Sequence, residues 1–407
     1  MSKIEKLIKE KCPDGVKYKT IEEICSKVYA GGTPRTNNEL YYGGNIKWLR
    51  SGEINFNELY NTELRITELG LSNSSAKMIP SKSVVIAMTG ATVARTAIVM
   101  EDMSMNQSVC ALLPNDQINY RFLYQCLSNM YEELKASGQG VLTSLNLDKI
   151  KKIRIPVPPL EIQDEIVRIL DKFGELEAEL EAELEARKSQ YEFWRGKLLD
   201  KNDNLKSIGE LFEFKNGINK SKDCFGTGNL IINYVDVYKN NKITNEIVKG
   251  LVELNDTDLI RYSCKCGDVF FTRTSETREE VGIASVLVDD MNDSVFSGFL
   301  LRARPITDLL IPEYCAYCFS SPRVRRDIIS YANFTTRATV TGPILSKVKI
   351  YVPSKEEQKR IVNVLDKMYY LINSFIDGIP AEIELRRKQY EYYRNKLLSF
   401  EELSVSE

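Results

Sequence analysis

The chain has 407 residues, 43% hydrophobic and 28% charged, with a formal net charge of −2 and no histidine. That balance describes a globular chain of two or more domains, and no run of about 18 apolar residues is present to span a membrane. The missing histidine excludes imidazole acid–base chemistry, Ser-His-Asp and Cys-His arrangements, and every His-containing metal site.

Taken in order, residues 2–11 read as a short helix that stops at the turn Cys12-Pro13-Asp14-Gly15. The opening MSKIEKLIKEKCPDG lacks the apolar core and cleavage site of a secretory signal. Nine scattered cysteines, an odd number, fit a reducing cytosol, so a cytoplasmic protein is expected. From Tyr18 to Pro158 the apolar runs are short and β-rich, as in Val84–Ala87, Thr96–Val99 and Val109–Leu112, with turn residues between them. Tyr120–Met130 reads as a helix and Ile150–Val157 as an alternating edge strand, which makes this a mixed α+β domain.

Residues 159–202 are of another kind. Glu175–Ala186 is ELEA written three times, all strong helix formers. Ile162, Ile166, Leu170 and Phe173 before it, and Tyr191, Trp194 and Leu198 after it, continue an apolar stripe at helical spacing. Gly174 is the weak point. At about 1.5 Å per residue, Glu161–Leu199 spans roughly 58 Å, more than a globular domain needs. Residues 161–187 carry ten acids against three bases, leaving the remainder mildly basic, a distribution compatible with DNA binding by the globular parts alone. An ordinary charged helix surface accounts for the acidic run equally well.

The whole order of events then repeats. Gln163, Ile166, Leu170 and Asp171 return as Gln358, Ile361, Leu365 and Asp366, and RKSQYEFWRGKLL returns as RRKQYEYYRNKLL. Between these helices, DVFFTRT parallels SVVIAMTG, SGFLLRARP parallels NQSVCALLP, and SKVKIYVP parallels KKIRIPVP. Expected boundaries are an N-terminal helix 1–17, a domain 18–158, a helix 159–202, a domain 203–352, a helix 353–400 and a tail 401–407. The frame is shared and the intervening stretches differ, as two readers of different targets on one scaffold would; drift after duplication is the plainer alternative. The second helix has a capping-box start at Ser354-Lys355-Glu356-Glu357. Pro380 should break it, with a new helix capped by Asp377 or a neighbour.

No phosphate-loop motif occurs, and Phe225-Gly226-Thr227-Gly228 lacks the strand–loop–helix context of a nucleotide site, so a turn is expected there. Cys264-Lys265-Cys266 and Cys315-Ala316-Tyr317-Cys318 invite a four-thiolate zinc site, but buried structural thiols are the better reading. No metal site and no catalytic set is expected.

The repeated helix start PPLEIQDEIVRILD, its paired ends, and the segments GGTP (Gly31–Pro34), NIKWLRSGEI (Asn45–Ile54) and NQSVCALLP (Asn106–Pro114) resemble the specificity subunit of type I restriction–modification systems over essentially the whole chain. The resemblance implies a non-catalytic reader of double-stranded DNA. It would have two α+β target-recognition domains in a pseudo-twofold repeat, separated by two long antiparallel helices that dock two modification subunits. S-adenosylmethionine would belong to those partner adenine methyltransferases, and ATP and Mg to restriction subunits where they join. The alternative is a structural or protein-interaction scaffold with degenerate DNA-binding domains. If the helices act as a spacer, ELEA copy number should set the gap between the half-sites.

Readout needs donors and acceptors at base edges, with cationic and hydroxyl side chains on phosphates. Polar loops beside the β-rich frame offer Thr33, Arg35, Arg50, Ser51, Thr89, Thr92 and Arg95 in the first domain. In the second they offer Lys220, Lys222, Arg273, Thr274, Arg278, Thr335, Thr336 and Arg337. For partner docking the helix-end aromatics Tyr191, Trp194, Tyr390 and Tyr393 are the candidates.

Overall fold

The structure, a computed structural model, describes residues 3–137 and 144–403. It divides into two compact units, residues 1–180 with 383–407, and residues 181–382. Each unit therefore takes a globular domain together with parts of the long helices, and the division falls inside the ELEA run.

Unit 1 is built on a five-stranded sheet of β1 (Cys25–Ala30), β2 (Glu58–Leu59), β3 (Ser83–Ala87), β4 (Thr96–Val99) and β5 (Val109–Pro114), in the order β1-β5-β3-β4-β2. All neighbours are antiparallel except β2 beside β4. Unit 2 repeats it with β6 (Phe212–Asn216), β7 (Lys242–Ile243), β8 (Val269–Thr272), β9 (Ala284–Leu287) and β10 (Leu300–Pro305), in the order β6-β10-β8-β9-β7. Again only the last pair, β7 beside β9, is parallel. The runs VVIA and VFFT are buried on both faces because apolar side chains pack above and below the central strands.

A second sheet also recurs. Tyr42–Leu49 lies between Leu64–Ile66 and Met103–Met105 in unit 1, and Phe225–Ile232 between Gly250–Val252 and Ser294–Phe296 in unit 2. Both central strands are bulged near their start. In Phe225–Ile232 the positive φ of Gly226 (111°) and Gly228 (95°) serves that bulge, so the glycine-rich segment is an irregular strand where a turn was expected. Gly31, the first glycine of GGTP, has a comparable steric reason. A Cβ there would lie 2.1 Å from the Met105 carbonyl oxygen, and at Gly217, its counterpart, 2.0 Å from that of Ser297.

Each long helix starts on a buried glutamine. Gln163 Nε2 donates to the carbonyls of Pro158 (2.8 Å) and Gln117 (2.9 Å), and its Oε1 accepts from the Asn119 amide (2.8 Å). Gln358 makes the same three bonds, to Pro353 (2.9 Å), Leu309 (2.7 Å) and the Ile311 amide (2.9 Å). The repeated glutamine thus staples the helix N-terminus to the loop before the helix Tyr120–Asn129 in unit 1 and Pro312–Cys318 in unit 2, and no apolar side chain can replace it. Gln358→Leu strands three backbone groups and is expected to cost unit 2 roughly 3 kcal/mol, read as a shift in the denaturant midpoint; an unchanged midpoint would remove the staple from the account.

The first long helix runs unbroken from Leu160 to Leu199, through Gly174. Within unit 1, Phe173 stacks on Tyr393 (5.4 Å, 26°) and tilts against Tyr390, while Arg387 Nε meets Glu177 at 2.6 Å, an antiparallel pairing with the helix Ile379–Leu398. Within unit 2, Tyr191 packs on Tyr369 of the helix Lys355–Asn373 (6.2 Å) in the same sense. The break falls at residues 374–378, and the new helix begins at Ile379 with Pro380 in its first turn, where a missing N–H costs nothing. Asp377 does not cap it; its carboxylate accepts from the Ser374 (3.0 Å) and Tyr370 hydroxyls.

Two further expectations change. Leu147–Lys151 is a short helix, capped by Asn146 accepting from the Lys149 amide (2.8 Å), and only Arg154–Pro156 of the expected edge strand is extended. The tail is not separate: the Val16 and Leu403 amides bond the Glu401 and Val16 carbonyls (2.9 Å each), and Tyr18 Oη bonds the Phe400 carbonyl (3.0 Å), all within unit 1. Residues 404–407 of the expected tail lie outside the described residues.

Candidate DNA-reading surfaces

Backbone bonds gather the unit 1 candidates on one loop cluster. The Gly32 amide bonds the Met105 carbonyl (3.0 Å), Asn106 bonds Leu49 (2.9 Å), Met88 bonds Ser108 (2.8 Å), and Thr92 Oγ1 bonds Ser51 O (2.9 Å). Thr33, Arg35, Arg50, Ser51, Thr89, Thr92 and Arg95 therefore sit on loops that close one end of the sheet. Their roles differ. Arg50 is paired with Glu63 and lies 3.7 Å from Glu53, Arg95 bonds the Asn55 amide oxygen (2.9 Å), and Thr33 bonds Gln107. Arg35 is exposed and has no side-chain partner among the described residues. Arg50, Ser51, Thr92 and Arg95 thus shape the loops, while Arg35 is free to meet a phosphate.

Unit 2 rebuilds the cluster with the same bonds. The Arg273 amide bonds Phe299 O (3.1 Å), as Met88 bonds Ser108, and Val340 bonds Arg273 O (3.0 Å), as Leu145 bonds Met88 O (2.8 Å). Thr274 pairs with Thr339 in a small sheet that includes Asn333–Phe334 and carries Thr335, Thr336 and Arg337, all three exposed, on its turn. Arg278 lies over the Phe334 ring (4.6 Å), Arg273 Nη1 bonds Gly298 O (3.1 Å), and Arg337 comes within 3.9 Å of Glu276. Lys220 is drawn aside by Asp258 (2.8 Å), and Lys222 sits on the next turn, exposed.

The sequence reading missed a feature here by looking mainly for cations. Tyr234 and Tyr238, one helical turn apart and stacked (5.7 Å, 17°), line a cleft of about 320 Å³ with Thr274, Ser275, Glu280 and Arg337. The Tyr238 hydroxyl donates to Glu280 (2.7 Å), and this bond, with those from Thr277 and Ser275, holds the carboxyl below its ordinary range. An ionised acceptor beside stacked rings suits a base amino group and repels phosphate. The i, i+4 tyrosine pair was the available signal.

The docking candidates divide. Tyr191 is a core residue of unit 2, only 5% exposed, its phenol pushed up to about 12 by burial and its ring covered by Arg195 (5.5 Å). Trp194 is half-buried against the same core, with Lys197 over its ring (4.7 Å). In unit 1, Tyr390 bonds Gln125 (2.8 Å), and Tyr393 stacks on Phe173. Tyr393 is nonetheless 41% exposed, and its neighbour Tyr392 (62%) and the equivalent Phe193 (61%) are more so. Of the cysteines weighed for zinc, Cys264 lies in one hydrophobic cluster and Cys315 and Cys318 in another, but Cys266 is exposed where a buried thiol was expected, because alternation along the extended segment turns it away from Cys264.

Two copies of one α+β frame, each ending in a cluster of polar loops, define an internally duplicated binding protein. The chain belongs to the family of the type I restriction modification DNA specificity domain, whose model matches residues 13–186 and again 201–385. It is 30% identical over 305 residues to the specificity subunit of an Escherichia coli type I restriction enzyme, covering 69% of this chain and 70% of that one. To the EcoprrI specificity subunit, also from Escherichia coli, it is 28% identical over 401 residues, 90% and 92% of the two chains. The fold is shared with a chain from a solved type I restriction–modification assembly (TM-score 0.68, 17% identity, 95% and 98% coverage). It is shared too with the HsdS subunit of Thermoanaerobacter tengcongensis (TM-score 0.56, 16% identity, 95% and 97% coverage). The protein is thus a specificity subunit, the non-catalytic DNA-recognition component of a type I system. No helix among the described residues is long and apolar enough to cross a membrane.

Proposed function

We propose that each unit reads one half of a split DNA target, and that the chain brings two adenine methyltransferase subunits to it. S-adenosylmethionine would be bound by those partners, and ATP and Mg by restriction subunits where the system has them. The complex would work in the cytoplasm. The observation that carries this reading is the loop cluster built twice on the same backbone bonds and furnished with different side chains. Met88 stands where unit 2 has Arg273, and Thr89 where it has Thr274, which lies beside a threonine-rich turn that unit 2 carries on its small sheet. One scaffold with two sets of base-edge groups reads two sequences.

Mapping methylated adenines genome-wide, in a methylation-free host that expresses the modification subunit with and without this chain, tests the proposal. A two-part motif with a fixed gap is expected only when the chain is present. No new methylation, with the partner folded and bound to the chain, would favour the scaffold reading.

A further inference from the structure

The two units differ sharply at one place on the shared sheet. In unit 1, Tyr29 faces Ala111 and Lys27 faces Leu113 across β1 and β5, with Lys77 over the Tyr29 ring (5.5 Å), and no arginine stands on β5. In unit 2 the same register holds Lys215 opposite Arg302 and Glu213 opposite Arg304. Arg304 is neutralised by Asp268 through bonds of 2.7 and 2.6 Å. Arg302 feels the same carboxylate at longer range but makes no ion pair among the described residues: it is 5% exposed, its Nη1 donates to the Ser263 carbonyl (2.6 Å), and its Nε has no hydrogen-bond partner among them. Lys215 and Arg261 make no ion pair among the described residues, yet both lie beside one ring, that of Tyr262, at 5.7 and 5.6 Å from its centroid.

Holding two cations at one aromatic ring, with a third, desolvated one over the neighbouring Phe296 ring, costs free energy that folding alone does not require. Unit 1 closes the same frame with no arginine on the equivalent strand. Lys215 feels the cost: burial first, then Arg302 and Arg261, lower its affinity for a proton. A phosphate group, anionic and rich in acceptors, would relieve the repulsion between Lys215 and Arg261 and offset the charge of Arg302 behind them. The position suits DNA, since Lys215 lies two residues before the loop that carries Lys220, and the helix Asp256–Tyr262 supplies Asp258 to Lys220 and Arg261 to the cluster.

We propose that Lys215 and Arg261, with Arg302 behind them, form a phosphate site on unit 2, and that it takes a backbone phosphate of the DNA next to the second half-site. The site rests on the DNA-reading role proposed above. Lys215 and Arg261 touch the phosphate; Arg302 is a positioning residue that raises the local potential. Such a contact carries no sequence information, so it sets affinity and register while the loops choose the bases.

The test is a salt titration of the complex of the full chain with its methyltransferase, on its target duplex and on an unrelated one. The double variant Lys215→Met/Arg261→Met should weaken both duplexes by the same factor, about tenfold or more, and reduce the salt slope by roughly 2. Its thermal midpoint should stay in place, because both side chains reach solvent. Arg302→Met should also reduce the slope; a lowered melting temperature with the slope intact would make Arg302 merely structural. An unchanged slope in the double variant overturns the DNA contact. Saturable binding of inorganic phosphate that the variant loses, without any change in the DNA slope, assigns the site to a free anion and equally overturns it. A wild-type complex that shows no preference for its target would fail the reading role itself, not this site.

Discussion

Deleting one ELEA unit, Glu183–Ala186, is expected to move the chain to a target whose gap is shorter by about one base pair, with modification of the original target reduced about 100-fold or more. Four helical residues contribute about 6 Å of rise and 40° of rotation. A base pair advances about 3.4 Å and turns roughly 35°. Rotation equates the unit with one base pair and rise with nearly two; a helix inclined to the DNA axis projects less than its length, so rotation decides. The repeat makes the deletion locally mild. Leu176, Leu180 and Leu184 are half-buried, while all the other residues of the run except Glu177 are exposed. After deletion Leu180 takes the place of Leu184 ahead of Arg187, so the leucine that packs on the unit 2 core is replaced in kind. Tyr191–Tyr369 and Glu177–Arg387 both survive. Methylome mapping reads the result directly, and an unchanged gap would end the spacer hypothesis.

The frame was legible because its causes are local or periodic. Alternating and continuous β-rich runs marked the central strands, 3.6-residue spacing marked the long helices, and Pro380 marked the break. The paired Gln163 and Gln358 could be matched by eye, but their three-bond staple could not, because its partners, Gln117, Asn119, Leu309 and Ile311, lie more than forty residues away in the chain. The candidate surfaces were half legible. Sequence placed threonines and arginines on the loops that the backbone gathers. It could not tell Arg50, neutralised by Glu63, from Arg35, which is exposed and has no side-chain partner among the described residues. The cluster at Lys215 and Arg302 was invisible, since opposition across β6 and β10 joins residues 87 positions apart. Along the helices, the aromatic run Tyr-Glu-Phe-Trp declared an apolar face without saying which ring turns outward. Tyr191 turned in, and Phe193 is left outside.

That last distinction yields a second expected result of comparable size. Phe193→Ala and Tyr392→Ala should each weaken one methyltransferase contact by about 2 kcal/mol, roughly 30-fold, and the double variant should lose both partners. Large exposed aromatics on a helix are costly to keep in water and serve well as interface anchors. These two occupy equivalent positions of a duplicated sequence, each 61–62% exposed and each beside a packed aromatic, Trp194 or Tyr393. A duplicated anchor matches two copies of one partner. Native mass spectrometry of the reconstituted complex should show one bound subunit for each single variant near the weakened Kd, and none for the double. Because both rings face solvent, the chain's own stability should not change. Tyr191→Ala separates the two roles: it opens a cavity in the unit 2 core and should cost about 3 kcal/mol of stability, with partner stoichiometry preserved below the melting transition. If Tyr191→Ala abolished partner binding in a chain that remains folded, while Phe193→Ala left it intact, the docking surface would have to be moved off the outward face of the helix.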